Sequence, residues 1–159
     1  MNEPGKERRR YERYDNTVKI HFRVTYNLKT KVTFQVIDQD KQEALSPKYL
    51  ALSKNVSAEG ICFTSAKKLD DGNALHLEVY VPGTSAPVHM RGEVRWCRPI
   101  APGEGEEDQF DAGVKVLTVN EKSVAETIYY DTTHQIFWSA VLEAIFGSFS
   151  ALMHKKMQS

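Results

Sequence analysis

The sequence predicts a mainly β protein, a barrel or a sandwich, followed by an α-helix near its end. Three observations carry this. Short runs of alternating polar and apolar residues recur through the middle of the chain, turn residues separate them at close spacing, and the texture becomes helical after Asn120.

The first run, "TVKIHFRVTY", places Val18, Ile20, Phe22 and Val24 on one face and Lys19, His21, Arg23 and Thr25 on the other. That is the period of a half-buried strand. "KVTFQVID" repeats it through Val32, Phe34 and Val36, and "YLALSKNVS" and "GICFTS" read as two strands around a turn. "ALHLEVYVP" alternates Leu75, Leu77, Val79 and Val81 before Pro82-Gly83 closes it, and "VHMRGEVRWC" and "FDAGVKVLTV" follow in the same style. Between these last two lies an acidic loop with Glu104, Glu106, Glu107, Asp108 and Asp111. Its spacing is not that of a calcium-binding EF-hand loop, so it reads as a solvated hairpin connection.

Beyond the strands, "NEKSVAETIYYD" predicts a short helix with Asn120 at its N-cap. Trp138, Leu142, Ile145, Phe149 and Leu152 then follow a 4-3-4-3 spacing, which marks one face of a helix over 136–153, with Gly147 inside it as a packing point or bend. Glu143 and three serines (Ser139, Ser148, Ser150) interrupt this apolar run, so it reads as a packing or oligomerisation helix and not as a membrane span. The organisation expected is a flexible arm over 1–14, a β domain over 15–131 and a helix over 132–159.

At 159 residues, with 41% hydrophobic content, the chain is long enough for one well-cored domain. It carries 21 basic and 21 acidic residues, so no global field draws it to nucleic acid or membrane, and any anion site must be local. Cys62 and Cys97 stand far apart in apolar runs, where buried free thiols are expected. The start, "MNEPGKERRR", has no apolar stretch of the secretory kind, and a cytoplasmic location is expected. The histidines His21, His76, His89, His134 and His154 fall in no metal-ligand spacing, and no nucleophile elbow or phosphate-binding glycine loop follows a strand. The expectation is a protein that is not an enzyme and holds no cofactor or metal.

Two local features stand out against this background. The arm contains "ERRRYERYD", in which Arg8, Arg9, Arg10 and Arg13 crowd into six positions, although 1–14 as a whole is only +2 (five basic residues, three acidic). By itself such a segment is a solvated tail. The second feature, "KNVSAEGICF", brings Asn55, Ser57 and Gly60 between two strands; alone it is a tight turn, with Gly60 at positive φ.

Taken together, Arg9 and Arg13 as RxxxR, followed by Asn55, Ser57 and Gly60 as NxSxxG, resemble the PilZ domain, the bacterial receptor module for cyclic di-GMP. The resemblance continues through "ICFTS", "KKLDDGNALHLEVYVPG", "GEVRW" (Gly92 to Trp96, as GxVxW) and "DAGVKVL", in that order, from about Arg8 to Tyr130. RxxxR alone is common; its coupling to NxSxxG and GxVxW is specific.

The resemblance implies a six-stranded antiparallel β-barrel with a flexible N-terminal arm and a C-terminal α-helix. It also implies cyclic di-GMP as the ligand, with Arg9, Arg13, Asn55, Ser57 and Gly60 as binding residues. Arginine suits that ligand, since its planar fork binds phosphate and the O6/N7 edge of guanine, and its face stacks on a purine. Arg8 is expected to stack on a second guanine in a two-molecule site, while Arg10 and Tyr11 are arm residues. Asn55 departs from the aspartate common in the family, so a modestly lower affinity is expected. The implied output is an arm that orders on binding and changes contacts with an effector protein, with self-association through residues 134–157 as a further expectation. The alternatives are a nucleotide-independent adaptor of the same fold and a basic-arm nucleic-acid binder; the zero net charge and the lack of an aromatic stacking row argue against the latter.

Overall fold

The computed structural model describes residues 25–101 and 107–147. Arg8, Arg9, Arg13, the rest of the arm, residues 17–24 of the strand expected over 17–26 and the part beyond Gly147 of the helix expected over 136–153 lie outside the described residues.

Alternation sets the strands. After β1 (Tyr26–Asn27) come β2 (Lys31–Ile37), β3 (Tyr49–Val56), β4 (Gly60–Ser65), β5 (Ala74–Val79), β6 (Val88–Ile100) and β7 (Gln109–Val119). All pairings among β2 to β7 are antiparallel, in the order β3-β2-β5-β6-β7-β4, and β4 pairs back onto β3. Six strands therefore close into a barrel, which removes the exposed edges an open sheet would present. The alternating apolar residues fill it: Val32, Phe34, Phe63, Leu75, Leu77, Val79, Met90, Val94 and Val116 are essentially inaccessible. Phe34 stacks on Phe63 with ring centroids 5.0 Å apart.

Three expectations about the second half are corrected. The segment from Asn120 is not a helix: Asn120 (φ 48°) and Glu121 (φ 70°) form a two-residue hairpin turn that pairs β8 (Lys122–Ser123) with the end of β7. Asparagine is favoured both at helix N-caps and in left-handed turns, and the available strand partner decides for the turn. The region 136–138 is also extended: β10 (Ile136–Trp138) pairs with β9 (Tyr129–Asp131), a ribbon that straddles residue 132. The helix, α1 (Ala140–Phe146), starts only after Ser139, whose side chain caps it. Gly147 does not bend this helix; it terminates it at φ 92°, a conformation that favours glycine.

Helix α1 packs on the chain's own barrel. Trp138, Val141, Leu142 and Ile145 are buried in the same apolar cluster as the strand residues. No helix among the described residues is long and apolar enough to cross a membrane.

Candidate functional site

The strand order brings four residues into one row on the outer face of the barrel. Asn55 on β3 pairs with Cys62 on β4, Cys62 with Gly113 on β7, and Gly113 with Trp96 on β6. An open groove of about 290 Å³ lies over this row, lined also by Ser57, Gly60, Arg95 and Lys115. Asn55, Ser57 and Gly60 thus come together in one place.

Two bulges create the row. On β3, Ala51 and Ser53 point inward, and strict alternation would send Asn55 into the core after them. A register shift between Ser53 and Asn55 inserts one residue, so Val56 takes the interior position and Asn55 lines the groove. On β6 a second shift, between Val94 and Trp96, does the same: Val94 is buried, while Trp96 lies over Gly113 on the outside.

Glycines make room for this packing. A Cβ on Gly113 would fall 2.3 Å from the Trp96 ring, so only glycine lets the indole lie flat along the sheet. Gly60 is required for space and not for a positive φ as expected: its Cβ would meet the Val114 carbonyl oxygen at 2.4 Å, and it is not among the positive-φ residues. Ser57 shapes the turn before it. Its Oγ accepts hydrogen bonds from the Gly60 and Glu59 amides at 3.2 and 3.3 Å, and its own amide donates to the Gly60 carbonyl at 2.9 Å.

Charges flank the row on both sides. Lys115 pairs with Glu59 at 3.4 Å and Arg95 with Glu93 at 3.6 Å, contacts loose and exposed enough to open for a stronger anion. The Arg98 guanidinium lies 4.3 Å from the Trp96 ring centroid. Asp111 accepts from Lys54 at 2.8 Å and from Thr64 at 2.6 Å. Burial acts to raise the Asp111 carboxyl, but these two hydrogen bonds and the Lys54 and Arg98 charges outweigh it and hold the group below its ordinary value.

The expected consequence follows from that sign. Asp111 contributes stability above its unfolded-state pKa of about 3.9, and this is lost as pH falls through the lower folded value. Asp111→Asn is therefore expected to be less stable than wild type at pH 7, the gap closing as pH falls below the ordinary aspartate value in denaturant titrations. A gap independent of pH would remove the assignment.

Cys62 and Cys97 are free and only half-buried, where buried thiols were expected: Cys62 lines the outer groove, while Cys97, one residue after the outward Trp96 and paired with buried Ala112, packs against the apolar core. Burial, followed by the Asp111 charge, raises the Cys62 thiol, so it stays protonated and acts as a neutral wall of the groove. His76 and His89 share a 3.2 Å contact between ring nitrogens on another part of the surface. Among the described residues no group of three or more His, Cys, Asp or Glu is placed to hold a metal ion. Arg95, Trp96 and Lys115 were not singled out as site residues from the sequence; the one available signal was the GxVxW strand, which contains the first two.

A family model described as PilZ domain matches residues 7–130. The chain belongs to the PilZ domain family. No curated protein matches it. Among solved structures, this PilZ chain is similar to the Bacillus subtilis inhibitor of motility (MotI/DgrA), with 20% identity and a TM-score of 0.39 over 57% of this chain. The match covers 40% of that protein, so the chain spans well under two thirds of its neighbour's length.

Proposed function

We propose that this PilZ chain is a non-catalytic receptor for cyclic di-GMP, acting in the cytoplasm on an effector protein. The observation that carries the reading is the groove in which Asn55, Ser57 and Gly60, the three residues of NxSxxG, line one outer surface of the barrel. In this reading the Asn55 amide and the Ser57 hydroxyl meet a guanine edge, and Gly60 lets the ligand lie close to the backbone. Lys115 and Arg95 exchange their exposed carboxylate partners for phosphate, a more strongly charged acceptor. The indole of Trp96 offers an apolar wall to a base.

The groove is open and holds only part of a cyclic dinucleotide. Arg9 and Arg13 on the arm complete the site from above, and Arg8 stacks on a second bound molecule. Ordering of the arm then changes the surface around β3 and the turn, and an effector reads that change. Self-association through 134–157 would have to use groups other than Val141, Leu142 and Ile145, which the barrel already covers.

Isothermal titration of the purified protein with cyclic di-GMP tests the reading. Saturable binding with two ligands per chain supports both the receptor and the role of Arg8; one ligand per chain removes the Arg8 assignment alone. No heat from a folded protein would replace the receptor with a nucleotide-independent adaptor.

A further inference from the structure

We infer that Ser139 is a positioning residue for the turn that carries Ser57 and Gly60, and that it ties ligand binding at that turn to the seating of α1. The inference rests on the cyclic di-GMP reading above and names the internal route by which that site is regulated.

Ser139 is 1% exposed, and its hydroxyl has two partners. It donates to the carbonyl of Ala58 at 2.6 Å, across 81 residues of sequence, and accepts from the Val141 amide at 3.1 Å. Ala58 is the residue between Ser57 and Glu59, and is itself buried at 3% exposure. A hydroxyl has one proton to donate. Here that proton serves the turn, while a lone pair serves the first turn of α1. Unseating the helix leaves the Ala58 carbonyl without this donor, and displacing the turn leaves the cap without its outer anchor.

A second set of contacts joins α1 and Trp138 to β1, the first described strand. Tyr26 on β1 pairs with Val56, beside Asn55, and its ring packs edge-on to Trp138 and Phe146 at centroid distances of 6.4 and 5.8 Å. The next residue, Asn27, pairs with Asn55 itself. The start of the helix is fixed independently, since the Ala140 amide donates to Thr127 Oγ1 at 3.0 Å and that hydroxyl donates to the Val124 carbonyl at 2.7 Å. Thus α1 is tied to the NxSxxG turn through Ser139 and, through Tyr26, to β1, which pairs with β3 at Asn55. Coupling between two sites is reciprocal, so a ligand that fixes the turn also fixes the helix.

The test compares wild type, Ser139→Ala and Ser139→Thr in titration with cyclic di-GMP, together with amide hydrogen exchange of 141–146 with and without ligand. Ser139→Ala is expected to weaken binding by about 5- to 30-fold, in the usual range of coupling between sites. Ser139→Thr, which keeps the hydroxyl, is expected to stay within about threefold of wild type, threonine being a competent cap. In wild type the ligand is expected to slow exchange of the Val141 and Glu143 amides, and in Ser139→Ala this slowing is lost. Wild-type binding that is matched by a folded Ser139→Ala variant overturns the inference and leaves the receptor standing. If neither variant folds, wild-type exchange decides: amides of α1 unchanged by saturating ligand overturn it. Absence of binding by wild type overturns the receptor and the inference together.

Discussion

Arg9→Ala and Arg13→Ala are each expected to weaken cyclic di-GMP binding by about 10- to 150-fold, the equivalent of losing one charge-assisted contact of about 1.5–3 kcal/mol. The reasoning is chemical. The groove presents one amide, one hydroxyl and two cations already engaged with carboxylates, which is little positive charge for a ligand with two phosphates. In the proposed site the remaining charge comes from the arm, where arginine would supply it in a planar, bidentate form. Neither change removes an apolar core residue, so the thermal midpoint of the free protein is expected to stay within about 2 °C of wild type. Titration calorimetry beside thermal unfolding checks both halves. Undiminished affinity in both variants would end the proposed role of the arm, and a large loss of stability would make the arm part of the fold.

Trp138→Ala carries the largest expected effect on stability. The side chain is 1% exposed, packs edge-on to Tyr26 and lies in the cluster that joins α1 to the barrel. Truncating a buried aromatic of this kind costs about 3–5 kcal/mol, because transfer free energy and packing are both lost. For a chain of this length that is a fall of about 6–20 °C in the unfolding midpoint. Because α1 seats on its own barrel, the fall is expected to be independent of protein concentration. A midpoint that rises steeply with concentration in wild type, and less so in the variant, would instead place Trp138 in an interface between chains.

The order and type of the barrel strands were legible because alternation is a local rule. Val32 and Phe34, or Leu75, Leu77 and Val79, announce an inward face without reference to any neighbour. Asn120 was not legible in the same way, since one residue type serves two local structures and only pairing with β8 selects the hairpin turn. The apolar spacing from Trp138 was similarly ambiguous. Trp138, Leu142 and Ile145 are all buried as the helical face predicted, but Trp138 reaches the core from a strand, because the Ser139 hydroxyl starts the helix one residue later.

The candidate site divides along the same line. The sequence by itself offered the residue types proposed here to meet a phosphate and guanine ligand, Arg9 and Arg13 together with Asn55, Ser57 and Gly60, through their resemblance to a family pattern. It also determined that a turn falls between β3 and β4, since serine and glycine there satisfy and shape the local backbone. Only the tertiary structure decided which way Asn55 and Trp96 face. Each follows a bulge, and a bulge is a mismatch between two strands' registers that neither strand's own pattern contains. The need for glycine at position 60 arose likewise from the Val114 carbonyl, 54 residues further along the chain and brought within 2.4 Å of the missing Cβ by barrel closure.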